Sequence, residues 1–283
     1  MTPGEKVEMV TGVPPDPARV RLTILRMLHR GKAGHLGSNM SVVEMLVAMY
    51  GAVNVDKIRS RAPDRSRILV SKGHCAAAVY ATMHHFGLLP SEMIDTYFMD
   101  GSALAGHVSH VVPGVEHSTG ALGHGINVAV GCAIGLRNLG ATDSLALALM
   151  GDGELQEGSV WEAVMLAAHL KLDNFIGLVD NNRISSITST HEVIDLRPLD
   201  RRFSAFGFAV ETVDGHSVAD ISGAISRLRG NGRPGMIICD TVKGKDVGFA
   251  ENEAIWHYKT MTDQQYEEAS SRINAKVEVA RQP

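Results

Sequence analysis

Residues 145–158 read LALALMGDGELQEG, an apolar run that passes directly into the turn Gly151-Asp152-Gly153. A second apolar run, at 175–180, passes in the same way into Asn181-Asn182. The helical pattern at 159–169 lies between them, so the segment predicts a strand, a helix and another strand. Two strands joined by a helix in this way pair in parallel, which places the chain in the α/β class.

The two turns are expected at the same edge of the sheet, because parallel strands have their carboxyl ends side by side. Ligands of open parallel sheets bind at that edge, where glycine lets the backbone approach a diphosphate and a following helix directs its amides towards it. Asp152, Asn182 and a backbone carbonyl near Ile184 supply oxygen atoms, the ligands that Mg²⁺ prefers. The pattern predicts a site for a cation and a diphosphate. The alternative is two unrelated strand-end turns, chosen only for their backbone conformation.

The rest of the chain predicts one domain over 17–283, preceded by a polar N-terminal extension at 1–16. Its architecture is expected to be a parallel sheet with helices on both faces. A serine cap, Ser41 with Glu44 three residues on, is predicted to open a helix, and Thr262 with Gln265 another. Further strands are predicted at 208–213 and 236–241, and helices at 16–30, 41–50, 75–86, 217–229 and from 262 onwards; a short apolar segment lies at 68–71.

Composition excludes several classes of protein. The 27 basic residues are outnumbered by 31 acidic ones, which disfavours a nucleic-acid binder. No basic head with an apolar run opens the chain, and no apolar stretch reaches about 18 residues, so neither secretion nor a membrane span is predicted. Three cysteines, Cys75, Cys132 and Cys239, without a CxxC pair, are interpreted as small core residues and favour a reducing cytoplasm. A shifted glycine motif at 120–125 lacks a preceding strand, so a nicotinamide or flavin site is not expected.

Taken together, the motifs resemble those of the transketolases, which use thiamine diphosphate, and specifically the N-terminal half as it occurs in split, two-subunit forms. The alpha subunits of the pyruvate-dehydrogenase type share GDG and NN but lack the GHxGS and WH blocks. The blocks that carry the resemblance are, in order, GHLGS at 34–38, SKGH at 71–74, GH at 106–107, GVEHSTGALG at 114–123, GDGELQEGSVWEA at 151–163, DNNRIS at 180–185 and WH at 256–257.

The resemblance implies a role for each matching position. Asp152, Asn182 and the Ile184 carbonyl match ligands of Mg²⁺, for which Ca²⁺ or Mn²⁺ can substitute. Glu157 matches a glutamate at the subunit interface that links paired active sites. The histidines that match substrate-facing catalytic positions are His35, His107 and His257. The positions that match cofactor contacts are His74, Gly120, Leu122, Gly151, Asp152, Gly153 and Asn182.

The implied reaction transfers a two-carbon ketol unit from a ketose or ketose phosphate donor to an aldose acceptor, in carbohydrate metabolism. It needs proton carriers, for which imidazoles close to neutrality are suited. In this family the glutamate that activates the aminopyrimidine belongs to a pyrimidine-binding domain, which is not recognisable in this sequence. The resemblance therefore implies a separate subunit with the pyrimidine-binding and C-terminal domains, a heterotetramer of two such pairs, and no activity for this chain alone.

Several positions depart from the family pattern. Val108 and Ser109 replace a Pro-Glu pair, His117 replaces a smaller residue, His124 a glutamine and Tyr258 a glycine. We expect His117 and Tyr258 to reshape the substrate channel, which favours a donor or acceptor other than the common pentose phosphates. Two other functions stay open at this stage: another thiamine-dependent carboligase, using a 2-oxoacid or an unusual ketose in secondary metabolism, and a noncatalytic scaffold.

Overall fold

The centre of the protein is a five-stranded, wholly parallel sheet with strand order β1-β2-β3-β5-β4. The computed structural model describes residues 14–280, so most of the predicted extension lies outside it. The four predicted strands are present, and the apolar segment at 68–71 contributes to another, so the sheet has five strands. They are β1 (Arg67–Val70), β2 (Ala146–Gly151), β3 (Phe175–Asn181), β4 (Ala209–Asp214) and β5 (Gly235–Asp240).

Helices cover both faces of the sheet, as the sequence predicts. The described helices are α1 (Pro17–Arg30), α2 (Leu36–Ser41), α3 (Val43–Gly51), α4 (Val55–Arg59), α5 (Ala76–His85), α6 (Ser91–Ile94), α7 (Gly125–Asn138), α8 (Gly158–His169), α9 (Thr190–Val193), α10 (Leu199–Ala205), α11 (Val218–Leu228) and α12 (Asp263–Ala280). One face packs on α1, α3, α5 and α11, and the opposite face packs on α7, α8 and α10.

Alternate residues of each strand point to opposite faces, so both faces are apolar. In β2, Leu147 and Leu149 belong to one core and Ala146, Ala148 and Met150 to the other, and all five are fully buried. Strands buried on both faces appear in the sequence as continuous apolar runs, and this explains the form of the 145–150 segment.

The helix ends follow local sequence rules. Asp16 accepts a hydrogen bond from the Ala18 amide at 2.9 Å, and Pro17 takes the first helical position of α1. At α12 the reciprocal cap is present, since Gln265 Oε1 accepts from the Thr262 amide at 3.1 Å and the Gln265 amide donates to Thr262 Oγ1 at 3.3 Å.

The predicted serine cap at Ser41 is wrong. The chain is already helical from Leu36, and the Ser41 hydroxyl donates to Asp180 Oδ2 at 2.7 Å, across to the end of β3. Glu44 is taken up by Arg21, whose guanidinium binds both carboxylate oxygens at 2.7 and 2.8 Å. Ser41 and Glu44 therefore form buried polar contacts with distant parts of the chain instead of a helix cap.

No helix within residues 14–280 is both long and apolar enough to cross a membrane. Cys75 and Cys239 are buried and Cys132 is partly buried, and all three are free thiols. This agrees with their interpretation as small core residues.

Candidate active site

The Gly151-Asp152-Gly153 and Asn181-Asn182 turns lie side by side at the carboxyl edge of the sheet. Gly151 pairs with Asp180 in the β2–β3 register, and the Asp152 amide donates to the Asp180 carbonyl at 3.2 Å. A cavity of about 370 Å³ opens above them. It is lined by every predicted site residue: His35, His74, His107, Gly120, Leu122, Gly151, Asp152, Gly153, Glu157, Asn182, Ile184 and His257.

A second cavity, of about 410 Å³, adjoins the first and shares Asp152 and Gln156 with it. Its lining contains Arg183 and Arg197 together with aspartates, and it contains none of the histidines that line the first cavity. We therefore place the candidate active site in the smaller cavity.

The three proposed metal ligands line this cavity, where Asn182 Oδ1 accepts from the Ile184 amide at 3.0 Å and the Ile184 carbonyl accepts from Lys243 Nζ at 3.0 Å. Asp152 is held by two backbone amides, those of Gly153 at 2.8 Å and Arg183 at 2.5 Å. The Asn182 side chain donates through Nδ2 to Asp180 Oδ2 at 2.8 Å, which directs its Oδ1 away from that carboxylate. No cluster of three or more His, Cys, Asp or Glu that could hold a metal occurs among the described residues. One carboxylate with amide and carbonyl oxygens suits a hard cation such as Mg²⁺ better than zinc.

The electrostatics at Asp152 also suit a cation. Burial, followed by the neighbouring Asp180 carboxylate, raises the pKa of Asp152 to about 6. A buried carboxylate of this kind is stabilised in its charged form when a positive ion binds next to it.

Four imidazoles form one cluster above the cation site. The His35 ring centroid lies 5.5 Å from that of His74, 5.4 Å from His107 and 4.9 Å from His257, and His74 lies 5.1 Å from His257. His35 has a φ of +64°, a left-handed conformation that is uncommon outside glycine, and its amide donates to the His257 carbonyl at 3.0 Å. The strained backbone brings two distant sequence blocks into direct contact.

The cluster favours neutral imidazoles. Burial, then the charges of its neighbours, lowers the pKa of His35 to about 4 and that of His257 to about 3. Burial also lowers the pKa of His107, and it lowers that of His74 further. The buried Nδ1 of His257 has no hydrogen-bond partner in the described structure, which leaves it available to a bound molecule.

Sequence reasoning missed four charged groups at the site. Lys72 and Lys243 line the cavity, each only 2% exposed. Asp180 lies beneath it and accepts from Lys72, Ser41, Thr241 and Asn182. Glu154, inside the GDGE block, accepts from the Ser71 hydroxyl and from the Gly123 amide at 2.8 Å, and so links two recognised blocks.

Signals for these residues were present in the sequence. Lys72 lies inside the SKGH block at 71–74. Glu154 lies in the block that begins with GDG, and Asp180 opens DNNRIS, but other residues of these blocks were assigned to the site. Lys243 belongs to the KGK segment at 243–245, which no motif singled out. Charged residues next to strand ends or inside glycine-rich blocks are therefore the sequence signal that indicates these buried charged groups.

Of the departures from the family pattern, only Tyr258 lines the cavity. It is 61% exposed, and its ring centroid lies 4.8 Å from that of His257. His117 is exposed and Val108 is buried, and neither lines the cavity. His124 is exposed, with Nδ1 3.0 Å from the Leu122 carbonyl. His117 therefore does not line the cavity formed by the described residues, and its effect on the substrate channel stays a prediction.

The fold and site define a thiamine-diphosphate-binding domain of the transketolase type. A family model described as transketolase, thiamine diphosphate binding domain, matches residues 18–278. The chain belongs to this family.

Two relatives of similar length are named as transketolase subunits. The chain is 37% identical over 260 residues to an apulose-4-phosphate transketolase subunit from Phocaeicola vulgatus, covering 91% of this chain and 92% of that one. It is 32% identical to the 6-deoxy-6-sulfo-D-fructose transketolase subunit SqwG of a Clostridium species, covering 90% and 93%. It is also 30% identical to human transketolase, covering 94% of this chain but 43% of the human one.

Solved structures agree with this placement. The transketolase of Campylobacter jejuni superimposes with a TM-score of 0.83 at 28% identity, over 91% of this chain and 42% of that one. The chain thus corresponds in length to one subunit of the split enzymes and to less than half of a full-length transketolase.

Proposed function

We propose that this chain is the cofactor-binding subunit of a two-subunit transketolase, which moves a two-carbon ketol unit from a ketose phosphate to an aldose. The observation that carries the proposal is the convergence of the cation oxygens, the two buried lysines and the four histidines on one cavity at the carboxyl edge of the sheet. Subunits of the split enzymes named above match along almost their whole length, which supports the same division of labour.

Asp152, Asn182 and the Ile184 carbonyl are proposed to hold Mg²⁺, and Gly151 and Gly153 leave room for the diphosphate beside it. Lys72 and Lys243 bring positive charge to the same floor. When bound, thiamine diphosphate supplies a carbon nucleophile that accepts and then releases the two-carbon unit. His74, Gly120 and Leu122 line the wall where the rings of the cofactor would lie.

The remaining imidazoles are proposed to move protons at the sugar oxygens. His35, His107 and His257 line the same cavity, and burial keeps them neutral near pH 7. A neutral imidazole can accept a proton from a hydroxyl at one step and return it at the next. Their edge-on packing keeps them close enough to serve adjacent oxygens of one substrate.

A separate subunit is proposed to complete the site with pyrimidine-binding and C-terminal domains. The full-length relatives are more than twice as long as the part that this chain matches. Two heterodimers are proposed to join into a heterotetramer, with Glu157 close to the contact between the copies. Glu157 is exposed and lies at the start of α8, where it also lines the cavity. The three free cysteines fit an assembly located in the cytoplasm.

The test is calorimetric titration of thiamine diphosphate with Mg²⁺ into the complex of this chain and its co-purified subunit. We expect binding that is lost in Asp152→Ala and retained in Asp220→Ala, an exposed control on α11. Turnover is then measured with ketose phosphates, and with pyruvate as the 2-oxoacid alternative. Absence of cofactor binding by the unaltered complex would contradict the proposal, and turnover of pyruvate alone would assign the other reaction.

A further inference from the structure

His216 lies outside the candidate active site, but it is hydrogen-bonded to the residue that precedes Lys243, which lines the cavity. The residue follows β4 and does not line the cavity. Its Nε2 accepts a hydrogen bond from the Val242 amide at 2.8 Å, and its Nδ1 lies 3.3 Å from Glu44 Oε2. An amide can only donate, so Nε2 carries no proton and the neutral ring has its proton on Nδ1, facing Glu44.

The ring is held from behind by a buried ion pair. Arg21 binds both oxygens of Glu44, and the side chains of Arg21 and Glu44 are only 2% and 7% exposed. Burial alone would raise the pKa of Glu44, but the hydrogen bonds from His216 and Arg21 outweigh it and lower that pKa to about 2. Glu44 therefore stays an acceptor, which fixes both the orientation and the tautomer of His216.

Val242 directly precedes Lys243, the buried lysine of the cavity. Lys243 Nζ donates to the Ile184 carbonyl at 3.0 Å and to the Ser185 carbonyl at 2.6 Å. On the other side of the lysine, the Gly244 amide donates to the Gly37 carbonyl at 3.0 Å. The backbone of Lys243 is thus held by one hydrogen bond before it and one after it.

The approach of Lys243 to the α2 segment leaves little free space. A Cβ at Gly37 would lie 3.1 Å from Lys243 Cγ, so the aliphatic part of the lysine already packs against that glycine. A backbone shift at Val242 would therefore move the ammonium group within the cavity, because the stem cannot take up the change on the Gly37 side.

We propose that His216 is a positioning residue that acts through Val242 to place the Lys243 ammonium where it meets the diphosphate of the cofactor. The inference rests on the proposed function. An ammonium group gains most from a phosphate oxygen at hydrogen-bond distance, and misplacement reduces that gain. His216 itself makes no contact with the cofactor.

The experiment measures the Kd of thiamine diphosphate with Mg²⁺ by calorimetry, using the complex of this chain with its co-purified subunit. His216→Phe keeps the ring volume but removes both polar atoms, and we expect it to weaken binding about tenfold, the effect of one charge-assisted hydrogen bond. His216→Gln keeps one donor and one acceptor, and we expect its Kd to stay within about threefold of the unaltered value.

A double-mutant cycle separates positioning from a general structural effect. In a Lys243→Met background, where the ammonium is absent, His216→Phe is expected to change the Kd little further. Equal weakening in both backgrounds would overturn the inference, as would an unchanged Kd for His216→Phe alone. No binding by the unaltered complex would instead overturn the proposed function, and this inference with it.

Discussion

Lys72 Nζ donates to Asp180 Oδ2 directly beneath the candidate active site, in an ion pair whose side chains are 2% and 0% exposed. The two residues come from different elements: Lys72 lies in the turn after β1, and Asp180 lies near the end of β3. Burial opposes both charges, but the pairing outweighs it, raising the pKa of Lys72 and lowering that of Asp180. The floor of the cavity is therefore a buried charged pair, in which each partner stabilises the charged form of the other.

Removing one member of this pair is expected to destabilise the protein strongly. Lys72→Met leaves the Asp180 carboxylate buried without its cation, at a cost of about 3–5 kcal/mol in the free energy of unfolding. Urea denaturation measures this change. Lys72→Met combined with Asp180→Leu is expected to recover part of the loss, because no unpaired charge remains. The exposed pair Arg197–Asp195 serves as control, and Arg197→Met should leave the unfolding midpoint unchanged. A midpoint equally unaffected by Lys72→Met would contradict the prediction.

The sequence predicted the sheet and the edge at which the cavity lies. It did not predict the buried ion pair between Lys72 and Asp180. Two apolar runs and the turns after them located β2, β3 and the cavity, since the parallel pairing of two strands joined by a helix, and the edge where both end, follow from local pattern and connection rules. The partner of a buried charge is set by tertiary packing: Lys72 and Asp180 lie 108 positions apart. The cap predicted from Ser41 and Glu44 is wrong for the same reason: both side chains bind residues from other elements.

The histidine cluster predicts a loss of stability in mild acid. The pKa values of His35 and His257 in the folded protein, about 4 and about 3, lie below the ordinary value of 6.5. At these two rings the unfolded chain therefore binds more protons than the folded one between about pH 6.5 and 4, so their contribution to the free energy of unfolding falls as pH is lowered through that window. Asp152, whose pKa burial raises to about 6, contributes in the opposite direction. Chemical denaturation at a series of pH values measures the slope.

Substitution tests the source of that slope. His35→Gln with His257→Gln is expected to flatten it, although His85, whose pKa burial lowers to about 4, keeps part of it. His117→Gln changes an exposed ring outside the cavity and should leave the slope unaltered. A double variant with the same slope as the unaltered protein would show that other groups cause the acid sensitivity.

Tyr258 is expected to control which donor enters the cavity. Its ring is exposed at the lining and packs edge-on against His257, so it narrows the space beside the histidine cluster. Tyr258→Gly should raise kcat/KM for six- and seven-carbon ketose phosphates relative to five-carbon ones by about tenfold, the usual scale of a steric effect in a pocket. Tyr258→Phe keeps the ring and should keep the original ratio. Identical ratios for the glycine and phenylalanine variants would exclude a steric role.

Two copies of this chain are expected to meet through the exposed face of α8. Its exposed side chains include Met165 and Leu166, 51% and 45% exposed, and Leu170 directly after the helix is 37% exposed. The same helix begins next to Glu157, which lines the cavity. Exposed apolar side chains grouped on one helix favour a protein contact.

Leu166→Asp would place a charge in that contact and is expected to halve the mass of the complex in light scattering, from two heterodimers to one. Glu162→Gln, an exposed polar change on the same helix, should leave the mass unchanged. Because Glu157 lies beside this helix, activity per site should fall with the mass in Leu166→Asp. Retention of the full mass by Leu166→Asp would place the contact between copies elsewhere.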